Sequence, residues 1–146
     1  MKKLVIFLDF DGVFHPYFRD NGFKAFVDLP HFENIIRRYK TSLDISLVIS
    51  SSWKNRLTLD EIKVNFSSDI ATMIHSVTPS LDVADGSRLE EAKLWLIQND
   101  IECDWIALDD DHYAWSLSEN LIWCLDKFQD REIELLTNRL DSVLAS

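Results

Sequence analysis

The sequence predicts an α/β fold, a Rossmann-like doubly wound and mainly parallel sheet with helices on both faces. Three observations predict it. Short runs of apolar, branch-rich residues recur at 4–8, 45–49 (with Ser46 inside it) and 105–108, as strands buried on both faces require. Segments with apolar residues at helical spacing separate them, in the order strand, helix, strand, helices, helix, strand, strand, helix. Each run stops at polar residues, Asp9-Phe10-Asp11-Gly12, Ser50-Ser51-Ser52 and Asp109-Asp110-Asp111. Ligands of open α/β sheets bind beyond the carboxyl ends of their strands.

The 146 residues suit one domain, 1–146, with room for a core and none for a large second unit. At 47% hydrophobic residues the chain exceeds what disordered sequences carry. The net charge of −10 excludes broad, charge-driven binding to nucleic acid, which needs many Lys and Arg on phosphates. One phosphorylated end in a local basic pocket stays compatible with it. No apolar run reaches the length of a membrane span, and Asp9 interrupts the only early apolar stretch. Cys103 and Cys124 are too few for a disulfide framework. The expected location is cytoplasmic, without membrane contact.

In the first strand, residues two apart share a face, so Asp9 and Asp11 point together while Phe10 turns away. Gly12 permits a sharp turn or a close approach. Two neighbouring acids repel unless one is protonated or a cation joins them. Magnesium suits, since it accepts one or two carboxylates plus substrate phosphate. Asp9 could then attack phosphorus and become an aspartyl-phosphate. Asp11 could protonate the leaving oxygen and later take a proton from water. A strand-end turn with solvated acids is the plainer alternative.

Residues 14–29 are aromatic and turn-prone, with Pro16, Asn21-Gly22 and Pro30 as breakers. His15, Arg19 and Lys24 read equally as substrate contacts or as packing and surface residues. Helical spacing over 31–40 puts Phe32, Ile35, Ile36 and Tyr39 on one stripe, with Arg37 and Arg38 on a solvated helix end. The run 45–49 is the second strand. At its end Ser50 and free backbone N–H groups could hold a phosphoryl oxygen, or merely cap a turn. If Lys54 binds phosphate, it does so as a point charge without bidentate geometry.

One or two short helices are expected over 59–75, then an irregular stretch over 77–86. Ser87-Arg88-Leu89-Glu90 has the form of a capping box, with Leu89, Ala92, Trp95 and Leu96 as the buried stripe. Arg88 then falls at the positive end of the helix dipole, where a cation makes sense beside an anion. Arg88 is the expected basic partner of the phosphate, with Lys93 as the alternative. The run 105–108 is a strand whose three terminal acids are costly unless solvated or facing a cation. Asp109 is expected as direct metal ligand, Asp110 as its supporting partner and Asp111 as a cap for the next turn. A further strand over 121–125 precedes a final helix capped by Asp130, with Ile133, Leu136, Leu140, Val143 and Leu144 on its core face.

Asp9-Phe10-Asp11-Gly12-Val13 resembles the first motif of the haloacid dehalogenase-like (HAD) phosphohydrolases. With His15-Pro16, Ser50-Ser51-Ser52-Trp53 and Leu108-Asp109-Asp110-Asp111, the chain is similar to the small HAD domains associated with RNA-repair proteins. The resemblance implies a hairpin flap over 14–29, no large cap domain and a site open to bulky substrates. It assigns Ser50 to the second motif and a basic residue, Arg88, to the third. It implies a Mg2+ site from Asp9, the Asp11 carbonyl, Asp109 and Asp110, and a nucleotide or phosphorylated nucleic-acid end as substrate. Lys54 stands where related domains often have Arg.

The expected function is therefore a magnesium-dependent phosphomonoesterase. A non-catalytic phosphate-end binding module would keep the pocket but leave the Asp9 and Asp11 pair without a purpose. A phospho-signalling receiver domain would need an acid after a middle strand, where this chain has Ser50-Ser51-Ser52.

Overall fold

A computed structural model describes residues 1–81 and 87–146. Its centre is one parallel five-stranded sheet in the order β3-β2-β1-β4-β5. The strands are β1 (Lys2–Leu8), β2 (Leu43–Ile49), β3 (Ile74–Val77), β4 (Asp104–Asp109) and β5 (Leu121–Trp123). The chain runs outward from β1 to β2 and β3, then returns across β1 to β4 and β5. The winding direction thus reverses between β1 and β4, and crevices form at such reversals.

Alternation along β1 builds the two layers. Leu4, Ile6 and Leu8 face one core, and Val5 and Phe7 face the other. The first core is closed by α1 (Leu29–Tyr39) and α5 (Asp130–Ala145) through Phe32, Ile36, Leu136 and Leu140. The short helices α2 (Leu59–Lys63) and α3 (Ser68–Ala71) add Ile62 and Ile70 to it. The second core is closed by α4 (Ser87–Gln98) through Ala92 and Trp95. Phe7 meets Trp95 edge to face at 5.8 Å, a favoured aromatic geometry. Helices on both faces confirm the doubly wound class, and no cap domain is present among the described residues.

Several elements differ from expectation. The strand β3 falls where a helix end and an irregular stretch were expected. It is a four-residue edge strand of Ile74-His75-Ser76-Val77 with one fully buried residue, so it lacks the buried apolar run that marks the others. Helix α1 starts two residues early because Pro30 lies in its first turn, where a missing N–H costs nothing. Strand β5 stops at Trp123, two residues short of expectation. Gln129, rather than Asp130, caps α5 in a box with Glu132. Leu144 is exposed, not core. Arg37 is not simply solvated, since it grips Asp69 of α3 through two bonds of 2.7 and 3.0 Å. Residues 14–28 form turns rather than a paired hairpin. Part of the expected irregular stretch, 82–86, lies outside the described residues, and so does the residue before Ser87.

Candidate active site

Sheet register assembles the site. Leu8 pairs with Ile49 on one side and Leu108 on the other. The next residues continue the pattern, for Ser50 N–H donates to the Leu8 carbonyl at 2.9 Å and Asp9 N–H to the Leu108 carbonyl at 3.1 Å. Asp9, Ser50 and Asp109 therefore leave three adjacent strands at one level. Phe10 turns into the first core against Trp53 and Phe26, while Asp9 and Asp11 both line one cavity of about 610 Å³. Asp110 and Arg88 line it too.

Asp9 and Asp109 are buried. Arg88 bridges them, with Nη1 at 3.2 Å from Asp9 Oδ1 and 2.5 Å from Asp109 Oδ2. Burial and the neighbouring Asp109 push the Asp9 carboxyl well above its ordinary range, with Arg88 pulling the other way. Burial, then Asp109, lifts Asp110 to about 6. Burial alone would lower the Arg88 pKa, but Asp9 and Asp109 override it and hold the guanidinium charged. One cation thus faces three acids whose charge the site cannot fully balance.

Asp9, Asp109 and Asp110 each offer an oxygen within 4.8 Å of the others. An all-oxygen set with surplus negative charge fits a hard divalent cation. The two motif acids are not equivalent within it. Asp109 already accepts from Arg88, from Trp115 Nε1 at 2.9 Å and from Asp111 N–H at 3.0 Å. Asp110 faces the cavity and packs on Gly12, where a Cβ would come 2.1 Å from Asp110 Oδ2. Gly12 also has φ +77°, so only glycine fits without strain. Asp109 is thus engaged by three donors and anchors Arg88, while Asp110 lines the cavity.

Asp11 is held from behind. His15 Nε2 lies 2.7 Å from its Oδ1 and Trp53 Nε1 donates to its Oδ2 at 3.1 Å. His15 Nδ1 accepts the Phe26 N–H at 3.0 Å, which leaves Nε2 as the proton-bearing nitrogen that donates to Asp11. Phe26 adopts φ 58° to do so, a conformation that costs a bulky residue about 1 kcal/mol or more. His15 is fully buried and lies behind the cavity wall, so it orients Asp11 rather than meeting substrate. Arg19 is exposed, 3.8 Å from Asp11, and Lys24 is exposed.

Ser50 is buried, and its hydroxyl finds no hydrogen-bond partner among the described residues. Ser51 instead caps the turn Ser52–Asn55 by accepting the Trp53 N–H. Lys54 does not face the cavity. It lies buried in a cluster with Glu91 at 3.0 Å, Thr78 at 2.8 Å and the Pro79 carbonyl at 3.2 Å, and burial lowers its pKa. Lys93 lies on the exposed side of α4, so only Arg88 of the two candidates joins the acids. Asp111 caps its turn, accepting from Tyr113 and Ala114 N–H groups.

A family profile described as the HAD domain in Swiss Army Knife RNA repair proteins matches residues 5–127. The chain belongs to this family. No curated protein and no solved structure matches it. The match to this HAD domain runs from Val5 within β1 to beyond β5 and covers every acid of the site. No helix of the described residues is long and apolar enough to cross a membrane.

Sequence reasoning missed three supports of this HAD site: the indoles of Trp53 and Trp115, and the orienting role of His15. Trp115 gave no signal, since its N–H reaches Asp109 only after the β4–β5 connection folds back. His15, four residues after Asp11, was visible as a motif residue without its partner.

Proposed function

We propose that this HAD domain is a magnesium-dependent phosphomonoesterase acting through an aspartyl-phosphate on Asp9, with a nucleotide or a phosphorylated nucleic-acid end as substrate. One observation carries the reading. A buried Asp9 opens onto a cavity, flanked by Asp110 and gripped by the same cation that holds Asp109.

Magnesium held by Asp9, Asp110 and the Asp11 carbonyl would neutralise charge on the phosphoryl oxygens. Asp9 attacks phosphorus, so that a P–O bond to its carboxylate forms while the bond to the leaving oxygen breaks. Asp11, fixed by His15 and Trp53, gives its proton to that leaving oxygen. It then takes a proton from the water that releases phosphate and regenerates Asp9. Arg88 stabilises charge on the transferring group, and its anchor on Asp109 keeps it from folding over Asp9 alone. The Ser50 hydroxyl, without a partner among the described residues, would donate to a phosphoryl oxygen.

Phosphate release from mononucleotides and end-phosphorylated oligonucleotides, with and without magnesium, tests the reading in wild type and Asp9→Asn. Metal-dependent release, abolished by the substitution, is the expected result. Magnesium binding without release from any substrate would turn the domain into a phosphate-end binding module. Absence of magnesium binding would sink the site assignment itself.

A further inference from the structure

The acids and Arg88 make only part of the cavity wall. Tyr17, His112 and Tyr113 line the same cavity. These are not core residues that strayed. Tyr113 is 71% exposed, Tyr17 63%, and the neighbouring Trp123 43%. The rings are already ordered against one another. His112 lies 4.3 Å from Tyr113 at 34° and 4.4 Å from Trp123 at 51°.

Their carriers are tied to the acidic loop. Trp123 Nε1 donates to the Asp110 carbonyl at 2.9 Å. Tyr113 N–H donates to the Asp111 carboxylate at 3.1 Å. Tyr17 N–H is pinned across the fold to Asp126 at 2.7 Å. Tyr113, His112 and Trp123 therefore form one stacked row beside the acids, and Tyr17 lines the same cavity. An exposed apolar surface continuous with a polar pocket marks a ligand contact.

Charge selects the ligand. The polar wall sets four acids, Asp9, Asp11, Asp110 and Asp111, against the single guanidinium of Arg88, so the group that meets the aromatic rings beside them is favoured when it is itself uncharged. A flat, uncharged ring, joined to the phosphate through a sugar, uses the aromatic faces and adds no charge. Every nucleobase has such a face. A sugar phosphate without a base leaves the rings in water.

We infer that Tyr113, His112 and Tyr17 form a base-stacking subsite, which holds the nucleobase of the nucleotide whose phosphate reaches Asp9. This deepens the phosphomonoesterase reading and rests on it for the position of the phosphate. Stacking itself is read without turnover. The probes are 2-aminopurine riboside 5′-monophosphate, an oligonucleotide carrying 5′-phosphorylated 2-aminopurine, and ribose 5-phosphate.

In Asp9→Asn with magnesium, the 2-aminopurine fluorescence is expected to quench on binding. Adding Tyr113→Ala is expected to weaken binding about tenfold to a hundredfold, and Tyr113→Phe to restore it. In the wild-type background, Tyr113→Ala and Tyr17→Ala should lower the ratio of nucleotide to ribose 5-phosphate kcat/KM by a similar factor. Stronger quenching with the oligonucleotide identifies a strand end, and equal quenching a free nucleotide; both support the subsite. Release from nucleotide and ribose 5-phosphate with equal kcat/KM and no quench would overturn stacking and leave the hydrolase standing. Quench without release from any substrate would keep the subsite and remove the hydrolase. Neither signal would remove both.

Discussion

Two cations meet α4 one turn apart and end in opposite situations. Lys54 is enclosed with Glu91, and each of its three donors has an acceptor. Glu91 spends its other oxygen on the Leu81 N–H at 2.8 Å. Arg88 also meets acids, but Asp9 opens onto the cavity and their shared charge is left in surplus. A saturated ion pair fastens a helix to a loop. An unsaturated one waits for an anion and a metal. Both cations would read alike from residue type, so saturation, rather than charge, separates scaffold from site.

Breaking the scaffold pair gives the largest effect. Lys54→Ala leaves Glu91 buried without a counter-charge and is expected to cost about 3–5 kcal/mol in chemical denaturation. Lys54→Met combined with Glu91→Leu should recover most of that loss. Turnover per folded molecule should change less than tenfold in the double variant. Arg88→Ala reverses the pattern. Phosphate release should fall about 10²–10³-fold, as when a positioned donor to the transition state is removed. An apolar replacement should not rescue it. If Arg88→Met retained full turnover, the functional half of the comparison would collapse.

Magnesium titration sharpens the contrast between the two motif acids. Asp110→Asn should raise the concentration for half-maximal activity more than about 100-fold. Asp109→Asn, which disturbs the anchor of Arg88, should raise it about 10–100-fold and also lower the saturated rate. The opposite order would return Asp109 to the role of direct ligand.

The smallest effect is in pH dependence. Asp110 titrates near 6 in the folded protein, because of burial and Asp109, against an ordinary 3.8. Between those values the folded state binds more protons than the unfolded, so metal-free stability should fall as pH rises from about 4 to about 6. Magnesium should flatten the fall. Asp69 runs the other way, for its bond to Arg37 holds it at about 2. Its contribution is present above the ordinary value of 3.8 and is lost as pH falls from about 4 to about 2. Melting temperatures across this range, with and without magnesium and in Asp110→Asn, separate the two.

Much of the architecture was legible because buried parallel strands announce themselves. The runs 4–8, 45–49 and 105–108 became β1, β2 and β4, with their polar termini at one edge. The edge strand β3 was hidden because half its residues face away from the core, so nothing forces an apolar run. Arg88 was readable from its place at a helix start. Lys54 was not, because whether a lysine is enclosed depends on Glu91, 37 residues further on.

The sequence by itself determined the class of fold, the strand ends at which Asp9, Ser50 and Asp109 stand, and the chemistry of hard oxygen ligands beside a cation. These come from local periodicity and residue type. Tertiary structure alone decided that Asp110 lines the cavity while Asp109 is engaged by three donors, that His15 and Trp53 hold Asp11, and that aromatic faces stand beside the acids. Those depend on Trp115, Phe26 and Trp123 arriving from other parts of the chain. Periodicity carries the direction in which a side chain leaves its own backbone, but not which distant donor meets it.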